Sequence, residues 1–364
     1  MPLADVASSR HSANGRRIVL IGGAGFIGHH LALRLAARGW DVTVIDDLQI
    51  NNLGRVSAWP HSPERTAALA TLRQRIDLLD HADIAFHRVD ARDRHALAAL
   101  LPDPRDSVVV HLAGVAHADR ANRDPYEAID SSLGSLAAAL DVARRGAVRF
   151  VYFSSSMVYG DFVSPTADED HPLRPIGVYG ALKLSGELLV QAHQRVFGLP
   201  TTIIRPSALY GPRCISGRVT QRFVENAMRG EPLLVEGDGE EKIDFTYVDD
   251  LVEGVRLVVD SDLARNETFN LTCGNARSLL DLARVVKTEY PSADVRFGPR
   301  DPLRPRRGTL SIEKARRLLG YAPKVQLEDG IPRCIAALQP HREPDRATRM
   351  TPRADAWPEP EVRL

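Results

Sequence analysis

Tyr179 and Lys183 stand four residues apart at the head of YGALKLSGELLVQAHQRVFG, whose apolar spacing reads as a helix of about five turns. That interval places both side chains on one helix face. A neutral phenol is a poor base, but a fixed ammonium beside it favours the phenolate, so the pair can take a proton from a hydroxyl group. A short run rich in β-branched and aromatic residues, RFVYFS, precedes them and leads into Ser154, Ser155, Ser156 and Met157. One of these hydroxyls can hydrogen-bond the reacting oxygen and share its proton with Tyr179. A YxxxK spacing alone is a common accident, so the reading depends on the elements that would bring these groups together.

Those elements alternate. Short apolar runs at 17–21, 41–45, 84–89, 107–112, 149–154 and 201–205 are separated by longer stretches of helical periodicity, which is βαβ order. The runs are nearly continuous in hydrophobicity, as in strands covered by helices on both faces. The expected fold class is therefore α/β: a Rossmann-like, doubly wound parallel sheet over residues 15–205. Residues 206–339 read as a smaller C-terminal substrate-binding lobe interleaved with the sheet domain, and the late strand ETFNL is assigned to that lobe. Residues 1–14 and 340–364 are polar or rich in Pro and charge, and read as disordered tails. Between 55 and 83, Leu69, Leu72, Ile76 and Leu79 recur at helical spacing, so a helical insertion is predicted after the second strand, with no readable function.

The first strand runs into Gly22-Gly23-Ala24-Gly25-Phe26-Ile27-Gly28 and then a helix. Such a turn lets backbone approach a pyrophosphate, and the helix terminus offers free N–H groups and the positive end of its dipole. Asp46 closes the second strand at about the offset of a ribose-binding carboxylate, which accepts from ribose hydroxyls and repels a 2′-phosphate. NAD is thus the expected cofactor, in preference to NADP. Gly22, Gly25, Phe26, Ile27 and Gly28 would hold it; Asp47 either shares the ribose or is a solvated loop residue. Asp90 and Ala91 would reach the adenine edge, although Asp90 could equally cap a helix, and Asp93 is the better cap. Leu112, Ala113 and Gly114 end the fourth strand where the dinucleotide would lie against backbone. Ser154, Pro206, Tyr179 and Lys183 would face its nicotinamide end.

Composition narrows the remaining classes. The 47 basic and 47 acidic side chains cancel, so no overall field draws nucleic acid or an anionic membrane. The three cysteines, Cys214, Cys273 and Cys334, show no CxxC spacing, and the histidines no HxH or HExxH set, so no metal centre is expected. No apolar run approaches the ~18 residues of a spanning helix, and no signal-peptide pattern opens the chain, so a cytoplasmic protein is expected.

Taken in order, GGAGFIG, Asp46, HLAG, SSSMVYG, YGALK, RPSALYGP and GDGEEKIDFTYVDDLVEG resemble the extended short-chain dehydrogenase/reductases, and within them the nucleotide-sugar epimerases and dehydratases, over about residues 16–335. The resemblance implies that Ser155 is the catalytic Ser/Thr partner of Tyr179 and Lys183. It implies a transient oxidation of a nucleotide sugar, commonly at C4, with Ser156 and Met157 against the substrate, and often a homodimer through helices near 135–145 and 181–197. Dehydratases of this group carry an Asp-Glu pair where this chain has Ser156-Met157, and decarboxylases resembling this branch carry a different sequence around YxxxK whereas YGALKLSGE looks like the epimerases, so epimerisation is favoured; HADRA at 117–121 resembles the dehydratases and keeps elimination as the alternative. A noncatalytic NAD-binding regulator is the alternative from another class, opposed by the presence of all three catalytic groups. Epimerases of this branch have Asn and Arg on the diphosphate where this chain has Ala208 and Ile243; Lys242 should point away from that site if the segment is extended. The late basic cluster PRDPLRPRRG, with Arg300, Arg304, Arg306 and Arg307, is therefore expected to bind the substrate phosphates together with Arg213, Arg304 and Arg306 being foremost in the cluster, and a solvated basic loop is its bland reading.

Overall fold

The computed structural model describes residues 16–101 and 103–338; the two expected tails lie outside the described residues. Seven strands form one parallel sheet: β1 (Arg17–Ile21), β2 (Asp41–Ile45), β3 (Ala85–His87), β4 (Ser107–His111), β5 (Arg149–Phe153), β6 (Thr201–Arg205) and β7 (Glu267–Asn270), in the order β7-β6-β5-β4-β1-β2-β3. The chain winds outward from β1 in both directions, so the loops after β1 and β4 part at the carboxyl edge and open a crevice there.

Period-two alternation in β1 divides the core. Ile18 and Leu20 pack with Leu31 and Leu35 of α1 (Phe26–Ala36), while Val19 and Ile21 face the other layer. A helical insertion follows β2 as α2 (Leu53–Ser57) and α3 (Pro63–His81). α3 starts on Ser62, whose hydroxyl accepts from the Arg65 N–H, with Pro63 as its first residue. Leu72 and Leu79 of α3 are fully buried, which explains their spacing in the sequence. Asp93 caps α4 (Arg94–Leu100), and α5 (Ala118–Arg123) and α6 (Pro125–Ile129) lead to α7 (Ser135–Ala143). Leu136 and Leu140 of α7 and Val190 of α8 (Val178–Phe197) cover Val19 and Ile21.

The smaller lobe has its own core, with Phe223 and Val224 of α9 (Val219–Arg229) at its centre. The chain then returns to the sheet domain: Leu251 and Val255 of α10 (Val248–Asp260) join the core around α1. α11 (Leu279–Glu289), begun by a Ser278–Asp281 capping box, closes the small lobe with α13 (Leu327–Leu338), and α12 (Glu313–Leu319) lies between them in sequence.

Two expectations need correction. Residues 267–270 of the ETFNL segment form not a lobe strand but the sheet edge, because β6 offers them a free ladder from Thr202 to Arg205. β3 is shorter than the apolar run at 84–89, since β2 ends at Ile45 and leaves residues 88–89 no strand to pair with.

Candidate active site

Helix α8 begins beside the crevice, where Asn122 Oδ1 accepts from the Val178 N–H at 3.0 Å and so seats the turn that carries Tyr179. One turn on, Lys183 Nζ donates to the carbonyl of Phe153, the last residue of β5, at 2.8 Å, and lies 5.9 Å from the Tyr179 ring centre. Burial lowers the Lys183 ammonium from its ordinary value, while Tyr179 and Glu187 oppose that shift. Ser155 opens a short 3-10 turn, its Oγ accepting from the Met157 N–H at 3.2 Å. Ser155, Ser156, Met157, Tyr179, Lys183 and Pro206 all line one cavity. Ser154 also borders it, but its hydroxyl is turned beneath: it donates to Glu187 Oε1 at 2.5 Å, and Glu187 forms a buried ion pair with Arg205 at 2.7 Å. Ser154 is thus present at the expected place on the wall, with its hydroxyl engaged by a buried carboxylate.

A second cavity adjoins the first and shares Ile27, Leu112, Ala116, His117, Leu209 and Arg218 with it, so the two make one groove along the carboxyl edge of the sheet. Gly22, Gly25, Phe26, Ile27, Gly28, Asp46, Asp47, Asp90, Ala91, Leu112, Ala113 and Gly114 all border this second part. Gly22 has φ +82°, and a Cβ there would stand 2.6 Å from the Ala113 amide nitrogen. A Cβ on Gly28 would meet the Gly23 carbonyl at 2.5 Å. Backbone thus forms the wall, at the amino terminus of α1, as a pyrophosphate requires. Asp46 accepts from the Ala24 and Leu48 N–H groups at 3.0 and 2.8 Å, tying the glycine turn to the loop after β2. Burial raises its carboxyl to about 6 despite those bonds. Asp90 is paired with Arg92, whose guanidinium holds its carboxyl below the usual range. These residues fit an adenosine half at Asp46 and Asp90 and a pyrophosphate over Gly22 and Gly25.

The phosphate-binding arginines expected from sequence are only partly in place. Arg304 borders the catalytic cavity, paired with Glu236 at 3.1 Å. Arg306 does not; its N–H donates to Asp161 in a turn outside. Arg213 does not reach the cavity either: its Nε donates to His29 Nε2 at 2.9 Å, and its left-handed backbone, φ +60°, directs the side chain back onto α1. Arg218, Arg222 and Arg307 also border the cavity, Arg307 half-buried with its Nε buried and without a hydrogen-bond partner among the described residues. Ile243 also faces the cavity while Lys242 is exposed, the alternation expected of an extended segment. The i, i+4 spacing of Arg218 and Arg222 was a legible sign of one basic face. That Arg307 rather than Arg306 turns inward was not, because adjacent residues of a loop carry no periodicity.

Among the described residues no group of three or more His, Cys, Asp and Glu is placed to hold a metal ion, and no helix is long and apolar enough to cross a membrane. A parallel sheet with a glycine-lined dinucleotide groove running into a Ser-Tyr-Lys cavity defines a short-chain dehydrogenase/reductase of the extended type. The model of the NAD dependent epimerase/dehydratase family matches residues 18–272, and the chain belongs to that family as an NAD-dependent enzyme. It is 33% identical to UDP-glucuronic acid decarboxylase 2 of Arabidopsis thaliana over 326 residues, 87% of this chain and 67% of the relative. It is 30% identical to dTDP-glucose 4,6-dehydratase of Streptomyces griseus, over 89% of this chain and 94% of that one. Among solved structures it is similar to UDP-glucuronic acid 4-epimerase of Bacillus cereus in complex with UDP-glucuronic acid and NAD, with a TM-score of 0.78 and 28% identity over 88% of this chain and 98% of that one.

Proposed function

We propose that the protein is a nucleotide-sugar epimerase that inverts a hydroxyl-bearing carbon, C4, through a transient ketone. Tyr179 takes the proton of that hydroxyl, Ser155 holds its oxygen, and Lys183, anchored on the Phe153 carbonyl, keeps its ammonium against the phenol. NAD held along Gly22, Gly25 and Asp46 would supply the acceptor for the hydride and its source on return. Inversion needs the ketone to present its opposite face, so the sugar must turn while its phosphates stay held. Arg218, Arg222 and Arg307 stand ready for the phosphates, and Ala116, Ala118 and Ser156 leave that part of the wall small.

The observation that carries the reading is the wall at Ser156 and Met157. A hydroxyl and a thioether stand where the family's dehydratases carry their acid pair, and Asp119 is the one carboxylate bordering this cavity among the described residues. Elimination would lack the paired acid and base it uses in that family. Incubation with a panel of nucleotide sugars, followed by mass spectrometry and separation of the sugars, tests this. Epimerisation gives a new sugar of unchanged mass; loss of one water means dehydration and loss of CO₂ means decarboxylation, and either overturns the proposal. Two copies are further proposed to pair through α7 and α8, since α8 leaves Leu188, Val196 and Phe197 exposed; light scattering showing a monomer would oppose it.

A further inference from the structure

Arg75 is delivered by the insertion helix α3 into the wall of the dinucleotide groove, where it is only 1% exposed. Its Nε and Nη2 both donate to one neutral acceptor, the Arg213 carbonyl, at 3.1 and 2.5 Å. Among the described residues no carboxylate lies within ion-pair distance of it. The charges around it do not neutralise it. His29 takes the Arg213 Nε–H on its Nε2 and bonds the Gly25 carbonyl through Nδ1, and burial drives it well below its ordinary value. His30 is likewise pushed down to about 4, and Arg213 adds a second positive charge, itself opposed by Asp249. The Asp46 carboxylate acts on Arg75 through space, while burial keeps the nearby Cys214 thiol protonated and uncharged, and both Asp46 oxygens already accept backbone N–H groups. Burial brings the guanidinium down to about 10, so it is charged at neutral pH.

A buried guanidinium without an anion is costly, and a fold keeps one where a ligand brings the missing charge. The groove that Arg75 borders runs between Asp46 and the first turn of α1. We propose that Arg75 is a cofactor-binding residue whose guanidinium is the counter-charge for the phosphates on the adenosine half of bound NAD, making the insertion a part of the cofactor site. Its fork is suited to phosphate oxygens, and its hold on the Arg213 carbonyl fixes its aim.

Titration calorimetry of the full chain freed of cofactor, with ADP-ribose and with adenosine, tests this in the parent and in Arg75→Gln. Glutamine keeps a donor for the Arg213 carbonyl and removes the charge. ADP-ribose affinity should fall roughly ten-fold or more while adenosine affinity stays within about two-fold, and Arg75→Lys should recover much of the loss. Equal losses for both ligands, or no loss for either, would mean that Arg75 only props the loop and would overturn the proposal. A preference of the parent for 2′-phosphorylated ADP-ribose, lost in Arg75→Gln, would place the anion on the ribose and overturn it too. Should Arg75→Gln not fold, nitrogen-resolved NMR of the Arg75 guanidinium in the parent reads the same contact: ADP-ribose should shift its signal and adenosine should not, and an unshifted signal with ADP-ribose overturns the assignment.

Discussion

The two ends of the groove are built by different means. At the cofactor end the wall is largely backbone, a single turn at 22–28 with Asp46 close behind it, and a ligand is received by N–H groups and by the absence of side chains. At the other end, proposed to take the sugar phosphates, the wall is side chains, with arginines at 218, 222, 304 and 307 and small residues at 116, 118 and 156. Backbone recognition is local in sequence and is broken by adding an atom. Side-chain recognition is gathered from distant loops and is broken by removing one.

The largest expected effect lies where the two ends meet. Tyr179→Phe should lower turnover by about 10²–10⁴ and leave NAD affinity nearly unchanged, the usual worth of a positioned acid-base group. Steady-state rates within a few-fold of the parent would remove Tyr179 from the chemistry. At the sugar-phosphate end, Arg307→Ala should weaken a nucleotide diphosphate by ~1.5–3 kcal/mol, read by calorimetry, whereas Arg213→Ala should change it little and act mainly on melting temperature. The reverse order would show that the loop around 213 rearranges on binding.

At the cofactor end, Gly22→Ala adds one methyl against the Ala113 amide at a backbone angle that suits glycine. A cost of about 1–3 kcal/mol in stability should accompany loss of NAD, with nucleotide diphosphate binding less affected. A variant that melts like the parent and keeps NAD would mean that the cradle can shift aside.

The smallest effect is in pH. The Asp46 carboxyl, raised to about 6 by burial, is protonated below that value and then loses acceptor capacity for ribose hydroxyls, so NAD affinity should fall as pH drops through about 6. Stability of the cofactor-free chain moves oppositely for this group. A raised folded-state pKa contributes stability that is fully present below the unfolded value and is lost as pH rises through about 6. Asp46→Asn should flatten both dependences, and an NAD affinity that keeps its slope in that variant would assign it to another group.

Much of the molecule was legible in the chain because its signals are local. Apolar runs mark buried strands, a glycine turn between strand and helix marks a dinucleotide cradle, and four residues separate two side chains on one helix face. These rest on backbone geometry that repeats wherever such residues occur in such order, so Gly22, Asp46, Tyr179 and Lys183 stand out from residue type and spacing alone. Other roles depended on packing between distant segments. Ser154 faces Glu187 because α8 buries that carboxylate beneath β5. Arg213 turns onto His29 and Arg307 turns inward because loops far apart in sequence meet there. Arg75 reads as an ordinary charge within a helical pattern, and only the docking of α3 beside the glycine turn buries it against the groove. Periodicity settles which face of an element is apolar; which charge on its margins is buried without a partner is decided by the neighbour that arrives from elsewhere in the chain.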